Sequence, residues 1–529
     1  MRQPAIRFLI LLVLPLMGCA SNDSPAIKES QEAGSPVQVD LDARRPVMML
    51  SDYHLFADLQ KQIPNQGVIA YYLSSSHFAD YATSRHYLYL PPGKQAQYRA
   101  NDVLTFPVGT VFVQTLAYSH DLRDPLQGER LVETRLLIHQ RRGWVAVPYL
   151  WNDDQTDARR AVIGGKTTVR WIHSDGTKRT HHFTTPDMNQ CKRCHKQHET
   201  VQPIGVRAGN LNLRLEGDSR NQLALWSKLG LLAGLPTAKT EIPQAIAWND
   251  PSAGSVAERA RVWLDVNCAH CHNPAGIASV SGLDLSAQQS MPVRFGVYKP
   301  PVAAGRGSSG FQFGILPGSP ETSFLLHRIR STDPGVMMPT VGRSLVDEEG
   351  TALIEQWIRE MHADEQLAQR ALNPVKAYSE ALEGGDAARG RELFYGTAKC
   401  SSCHQAKPDD PGLVGPSLVD VTTRAKRDYL LESIVSPSSK IVAKYGATVL
   451  ELVDGRTLSG IIASEDANEL AITLADGTQT TLAVADVDQR TFSTISIMPS
   501  MANILSVQDV ADLIEFLSTL KEKPGPLPQ

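Results

Sequence analysis

The chain has 529 residues, of which 42% are hydrophobic and 20% are charged. This length is too great for one hydrophobic core, so the sequence predicts about three domains of ordinary soluble, globular character. The formal net charge of −4 gives no reason to expect a nucleic-acid partner.

The N-terminus has the features of a secretory signal peptide over residues 1–18. Arg2 and Arg7 provide a basic segment, and residues 8–17 form an apolar stretch that is too short to span a bilayer. The stretch ends in Leu-Met-Gly-Cys, which resembles a bacterial lipobox with Cys19 as the residue that receives the lipid.

This resemblance implies that Cys19 carries a thioether-linked diacylglycerol and becomes the N-terminus of the mature chain. Several acyl chains, at about 0.8 kcal/mol per buried CH₂, anchor a protein stably to a membrane. The next residue is Ala20 rather than Asp, which favours the outer membrane in proteobacterial sorting. We therefore expect a lipid anchor in the outer membrane, with the protein facing the periplasm; the alternative is simple cleavage that leaves a free thiol.

The first part of the mature chain begins with a polar segment and continues with a region whose sequence is typical of β-strands. Residues 19–45 are rich in Ser, Asp, Glu, Gln and Pro, which predicts a flexible tether. Residues 46–183 contain β-branched and aromatic runs broken by Gly, Pro and Asp, which predicts a β-rich, sandwich-like domain. The candidate strands are Val103–Phe106, Thr110–Val113, Glu133–Ile138, Gly143–Val147 and Thr168–Ile172, and Asp175–Gly176 is a candidate hairpin turn.

Beyond residue 183 the apolar spacing becomes helical. A Ser followed three residues later by Glu or Asp predicts a capped helix start at Ser255, at Ser344 and at Ser506. Asp386 predicts a fourth start, because apolar residues follow it at helical spacing.

Three further segments complete the chain. A stretch containing Pro and Ala over residues 366–380 predicts a linker, and residues 521–529 are a Pro-rich tail. Short strands over residues 448–488, with Asp-Gly turns at Asp454 and Asp476, predict a small β insertion among helices.

Six of the seven cysteines lie in Cys-x-x-Cys-His motifs, which attach c-type haem. Cysteines three residues apart lie on one face of a helical turn, where both sulfurs can form thioethers with one porphyrin, and the His can ligate its iron. The sequence thus predicts three covalently bound haems c. The predicted attachment residues are Cys191, Cys194, Cys268, Cys271, Cys400 and Cys403, with His195, His272 and His404 as iron ligands.

Zinc and disulfide bonds are the alternative uses of these cysteines. Two Cys-x-x-Cys pairs can form a tetrahedral zinc site, but three pairs would leave one pair over. A zinc site also does not require a His after every second Cys. We therefore favour haem over both alternatives.

The third motif has features of a small class I cytochrome c. Gly415-Pro416 follows His404 at the spacing where such proteins use the Pro carbonyl to accept a hydrogen bond from the haem His. Met498-Pro499 precedes the final helix, where these domains carry the distal Met ligand. We expect Met498 to be the sixth ligand; the alternative is a Met buried in the core.

The second motif is likewise followed by a Met-Pro pair that precedes a helix, but the first motif is not. Met337 and Met338 both follow the second motif, and we prefer Met338 because it precedes Pro339 as Met498 precedes Pro499. The distal ligand of the first haem stays open in the sequence. Its possible partners are His86, His173, His181, His182 and Met188, whereas His198 lies on the wrong side of the ring.

These residues resemble two known groups of proteins. Residues 51–361 are similar to exported bacterial dihaem c-type proteins of unassigned function, through the stretches Phe78–Ala82, Glu133–Leu137, Trp151–Ala158, Pro203–Gly205, Asn210–Asn212, Val266–Pro274 and Met338–Pro339. Residues 386–520 resemble the haem-binding cytochrome c domain common in planctomycete and verrucomicrobial proteins. That match rests on Leu393-Phe394 before Cys400, Gly415-Pro416, Ser433–Ser438, Tyr445, Asp454-Gly455, Ser496–Pro499 and Asp512–Ile514.

The combined prediction is a multidomain α+β protein. A β-rich domain (46–183) would be followed by a first haem segment (184–250) and by two mainly α cytochrome c-like domains. The first of these (251–365) would hold the second haem, and the second (381–520), which is class I-like and contains the β insertion, would hold the third. The leading functional hypothesis is an electron carrier with unidentified redox partner proteins, since His/Met ligation leaves no open iron position. The alternatives are a peroxidase-like enzyme or an electron-accepting dehydrogenase subunit, with the first haem as its reactive site.

Overall fold

The computed structural model describes residues 35–198, 200–215, 220–302, 308–410, 414–453, 457–474 and 477–520. The signal peptide, Cys19, the tail and the Asp454–Gly455 turn lie outside these ranges, as does Asp476. Within the described ranges, no helix has the length and apolar character needed to cross a membrane.

The N-terminal region is rich in β-structure, which confirms the predicted mixture of a β-rich region and helical regions. Its strands are β1 (Phe56–Asp58), β2 (Ile63–Pro64), β3 (Val68–Tyr71), β4 (Thr83–Tyr89), β5 (Ala96–Gln97), β6 (Val111–Ser119), β7 (Glu129–Gln140), β8 (Gly143–Trp151), β9 (Ala158–Arg160), β10 (Gly165–Ile172), β11 (Lys178–Thr185), β12 (Lys196–Gln197), β13 (Thr200–Val201) and β14 (Leu232–Ala233).

One antiparallel sheet with the order β3-β4-β6-β7-β8-β9 organises this region. One face packs against a core that includes Leu50 and Tyr53, and the other face packs against Leu211 and Trp226. Helical segments cover parts of the sheet, and β10 and β11 form a separate hairpin. The hairpin packs against the main sheet through Val169, Trp171 and Phe183. Residues beyond 183 share a core with the sheet because their apolar side chains bury its second face.

The predicted tether is shorter than residues 19–45. Val37 and Val39 pack against the first face of the sheet. The backbone N–H of Gln38 donates to the carbonyl of Tyr53 at 3.0 Å. Residues from 35 onward thus belong to the folded β-rich region, because two valines at alternate positions bury one side of an otherwise polar segment.

Most predicted strands are present, with one exception. Three of them lie within β7, β8 and β10, and the predicted hairpin turn joins β10 to β11. Val103–Phe106 is not a strand of the main sheet. Its Leu104 N–H donates instead to the Val206 carbonyl at 3.2 Å, and the buried Leu104 joins the core on the second face.

The central region combines short helices with long irregular segments. Its helices are α1 (Met188–His195), α2 (Ala208–Leu211), α3 (Gln222–Lys228), α4 (Val256–Leu264), α5 (Phe324–Arg330) and α6 (Glu348–Glu360). The capping box at Ser255 is confirmed, since its hydroxyl and the Glu258 carboxylate each bond the other's backbone N–H. The start predicted at Ser344 is wrong: Asp347 caps α6, and Ser344 donates to Asp80 instead.

The predicted linker over residues 366–380 is helical. It contains α7 (Glu365–Leu372) and α8 (Pro374–Ala377). Asp364 caps α7 by accepting a hydrogen bond from the Leu367 N–H at 2.9 Å, and Leu367 packs against the core of the central region. Pro374 does not break this segment because the first position of a helix has no N–H to lose.

The C-terminal region combines three helices with a five-stranded sheet. Its elements are α9 (Ala387–Tyr395), α10 (Arg427–Val435), β15 (Thr448–Leu452), β16 (Thr457–Glu465), β17 (Glu469–Leu474), β18 (Gln479–Ala483), β19 (Val487–Phe492) and α11 (Val507–Ser518). Asp386 and Ser506 cap α9 and α11 as predicted. The β insertion ends at residue 492 rather than 488, because β19 pairs with β15 up to Phe492.

Candidate haem centres

The three motif histidines share one feature of their rings: in each, Nδ1 is hydrogen-bonded to a group within the protein. This leaves Nε2 as the ring atom that could ligate iron, and it sets the orientation of the ring. The partners are the Gln202 carbonyl for His195 (2.8 Å), the Ser281 hydroxyl for His272 (3.0 Å) and the Pro416 carbonyl for His404 (2.9 Å).

The third centre surrounds His404 in the C-terminal region. Gly415 lies flat against this ring, since a Cβ at Gly415 would come within 2.6 Å of Cε1 of His404. Burial lowers the pKa of His404, although its hydrogen bond to Pro416 acts in the opposite direction. A neutral ring is the form that ligates a metal.

Two methionines lie near the end of the β insertion, and they have different surroundings. Met501 packs against the hydrophobic core built on α9, α10 and α11. Met498 is half-buried and is not part of that core. The side chain of Met498 is therefore more available than that of Met501 to ligate iron.

The second centre begins where α4 continues into a π-helical turn, Asp265–Ala269, that carries the buried Cys268. Met338 lines the large cavity described below, whereas Met337 does not; that cavity is also lined by His195 but not by His272, so it does not bring Met338 together with the second motif's histidine. Arg343 holds the Met338 backbone by donating from Nε and Nη2 to its carbonyl, at 3.0 and 2.6 Å.

The first and second motifs meet although they lie more than 70 positions apart in the chain. Sγ of Cys194, Sγ of Cys271 and a ring nitrogen of His270 all lie within 4.8 Å of one another. The Cys271 thiol also donates to the carbonyl of Arg193 at 3.3 Å. Nδ1 of His270 is buried and has no hydrogen-bond partner among the described residues.

A cavity of about 1100 Å³ opens beside the first motif. Cys191, Cys194 and His195 form one wall. The second face of the main sheet forms another, so that the cavity lies between α1 and strands β4, β6, β7 and β8. This volume exceeds that of most ligand pockets. It could therefore accept a group as large as a porphyrin.

The sheet presents one polar row to this cavity. His86, Gln114 and Arg135 are cross-strand neighbours on β4, β6 and β7, and all three line the cavity. Arg135 donates two hydrogen bonds of 2.9 Å to the carboxylate of Glu133, which is fully buried. Burial raises the pKa of Glu133, although the charge and hydrogen bonds of Arg135 oppose that shift.

His77 also lines the cavity, from the loop between β3 and β4. Burial, together with the charges of Arg135 and of neighbouring histidines including His195, lowers the pKa of His77 to about 3. His77 is not predictable as a site residue from the sequence, because it lies in a loop with no ligand motif. The only signal was its position directly before the Phe78–Ala82 stretch.

The residues considered as distal iron ligands of the first haem lie in different parts of the structure. His86 lines the cavity, as does His198. The others contact residues elsewhere: His173 accepts from the Trp171 indole N–H, His181 lies 3.3 Å from Asp80, His182 lies 3.0 Å from the Thr168 hydroxyl, and Met188 packs on the opposite face of the sheet.

The residues at the third centre fit haem c. The His404 ring rests in a cradle at Gly415 that a Cβ would fill, and the hydrogen bond at its Nδ1 leaves Nε2 for iron. If bound at the three motifs, haem would be held by the cysteine pairs through thioethers and by His195, His272 and His404 through iron. The chemistry it would supply is one-electron transfer.

Comparison with known proteins bears on the C-terminal region. A family model for cytochrome c matches residues 387–521. A cytochrome c-553-like protein of Synechocystis sp. is 33% identical over 70 residues, which is 13% of this chain and 63% of that protein. The chain thus carries a C-terminal cytochrome c domain, which implies covalently bound haem c and suggests a role in electron transfer.

Proposed function

We propose that this protein is an exported, lipid-anchored cytochrome with three haems c that passes electrons between redox partner proteins at the outer membrane, on its periplasmic side. The cytochrome c domain at the C-terminus supports the electron-transfer role. The membrane association would come from lipid at Cys19. The proposed relationship of residues 51–361 to dihaem c-type proteins rests on the sequence stretches they share.

The observation that carries the proposal is the contact between the first and second motifs. Haems attached at Cys194 and Cys271 would have thioether-bearing edges next to each other, because the two sulfurs lie within 4.8 Å. Electron exchange weakens steeply with the distance between porphyrin edges. Two sites this close therefore favour a relay.

The residues around the motifs serve this role by holding the ligands still. Hydrogen bonds from Nδ1 fix the rings of His195, His272 and His404 before and after electron transfer. A fixed ligand geometry keeps the structural rearrangement on gaining an electron small. Arg135 places a positive charge in the cavity beside the first motif, away from bulk water. The carboxylate of Glu133 balances this charge.

Three alternatives make different predictions. A peroxidase-like enzyme or an electron-accepting dehydrogenase subunit would use the first haem as its reactive site, and Arg135 in the cavity is the observation that favours a reactive site there. Zinc at Cys194, His270 and Cys271 would have three protein ligands. Under each of these alternatives, the spectrum of the group bound at the first motif would differ from that of a relay haem.

The experiment that tests the proposal is visible and EPR spectroscopy of the full chain matured in a periplasm, combined with a redox titration. We expect three low-spin haems per chain, no zinc, and interaction between two of the haems during the titration. A high-spin signal from one haem per chain together with rapid peroxide turnover would favour the enzyme. Bound zinc with only one or two haems would contradict the proposed haem number.

The proposed methionine ligands can be tested one at a time. Met498→Ala and Met338→Ala should each remove part of the near-infrared sulfur-to-iron band and lower the potential of one haem, because a Met ligand favours ferrous iron. Met501→Ala and Met337→Ala are the matched controls and should leave the band unchanged. An unchanged band and titration in either first variant would reassign that ligand.

The proposed lipid anchor predicts where the protein fractionates. Cys19→Ala should move the protein from the membrane fraction to the soluble periplasmic fraction with its haems intact, since acyl chains provide the anchoring free energy. Ala20→Ser, next to the anchor, is the control and should stay in the membrane fraction. A wild-type chain that is soluble and carries no acyl group would disprove the anchor.

A further inference from the structure

We infer that His77 is the sixth iron ligand of the haem attached at Cys191 and Cys194. The inference rests on the proposed haem at that motif and identifies the residue opposite His195. The sequence places His77 outside every motif, in the loop between β3 and β4. The tertiary structure brings this loop to the wall of the large cavity that also contains His195.

The loop is held at several points on either side of His77. The Ser75 N–H donates to the Asn210 side-chain oxygen at 2.9 Å, and Asn210 donates back to the Ser75 carbonyl at 3.1 Å. The Phe78 N–H donates to the side-chain oxygen of Asn267 at 2.8 Å. Asn210 and Asn267 are both buried. His77 is thus positioned from both sides, which an iron ligand requires.

The ring of His77 is free to ligate. Among the described residues it makes no hydrogen bond, and its side chain is half-buried. Its ring nitrogens are therefore available to a ligand in the cavity. His77 also keeps accessible surface, because its ring faces the cavity rather than packed side chains.

His77 is better placed than the other cavity histidines. Of the other histidines that line the cavity, His139 has Nδ1 3.0 Å from the Phe106 carbonyl, and His270 has a ring nitrogen within 4.8 Å of the Cys194 and Cys271 sulfurs. The ring of His86 lies on the sheet against Tyr71, with ring centroids 5.3 Å apart. His198 follows His195 by three residues and lies on the attachment side of the site. A ligand pair from α1 and the β3–β4 loop would hold the haem between them.

The test uses the full chain matured with its haems. In His77→Ala, the oxidised protein should change about one third of its haem from low spin to high spin, and the reduced protein should gain carbon monoxide binding at one haem. Added imidazole should restore the low-spin spectrum by filling the space of the missing ring. His86→Ala and His198→Ala are the matched controls and should remain fully low-spin.

The haem count separates this inference from the proposed function. A wild-type count below three would defeat the proposed function itself. A count of three with His77→Ala still fully low-spin, a spin change in His86→Ala instead, or a first haem already high-spin in the wild type would each overturn the assignment of His77. If His77→Ala does not mature, His77→Met decides: a raised potential at one haem supports the assignment, and an unchanged titration overturns it.

Discussion

Replacing Cys400 and Cys403 with alanine is expected to lower the haem content of the mature chain from three to two. Both thioethers of the third centre are lost, and His404 alone cannot retain the group through maturation. The first two centres should keep their haems, because the hydrophobic core around the third motif is built from α9, α10 and α11 and their neighbouring loops. Pyridine haemochrome spectra and intact mass would measure the count.

Ser402, which is exposed between the two cysteines, supplies the control. Ser402→Ala keeps the spacing of the motif and should retain all three haems. A double cysteine variant with the same haem content as the wild type would show that the third motif binds no haem covalently. A fall to one or none would show that the three centres mature together rather than separately.

Replacing Asp80 with alanine should destabilise the folded protein by roughly 2–5 kcal/mol, because each buried hydrogen-bond donor left without its acceptor costs about 1–3 kcal/mol. The Asp80 carboxylate is buried and joins the β3–β4 loop to the segment before α6. It accepts hydrogen bonds from the Ser344 N–H (2.8 Å), the Ser344 hydroxyl (2.8 Å) and the Leu345 N–H (2.8 Å). These buried donors would lose their partner.

The contribution of Asp80 should also depend on pH. Burial acts to raise the pKa of Asp80, but hydrogen bonds from His181, Leu345 and Ser344 outweigh it, so the pKa in the folded protein is lowered. Its stabilisation is therefore fully present above the unfolded pKa of about 4 and is lost as the pH falls through the folded pKa. The difference between wild type and Asp80→Asn should shrink in the same window.

Denaturant unfolding of both variants at several pH values measures these effects. Asp153→Ala is the control, since Asp153 is 95% exposed in its ion pair with Arg130 and such pairs contribute about 1 kcal/mol or less. A free energy of unfolding for Asp80→Ala within about 1 kcal/mol of the wild type would show that the loop does not depend on this carboxylate.

Sequence alone was sufficient where the determining residues are neighbours in the chain. The capping boxes at Ser255 and Ser506 are present because each involves groups only three residues apart. The hydrogen bond between His404 and Pro416 spans twelve residues within one region, and the resemblance to class I cytochromes c implied it. The cytochrome c domain is recognisable for the same reason: its motifs follow one another in a fixed order.

Tertiary structure decided whatever depends on residues far apart in the chain. Ser344 fails to cap α6 because Asp80, 264 residues away, takes its hydroxyl. The juxtaposition of Cys194 with Cys271 arises from packing between two segments, which no spacing rule describes. His77 reaches the cavity only because Asn210 and Asn267 hold its loop. Local patterns specify turns, caps and motifs, whereas packing alone determines which distant side chains share a cavity.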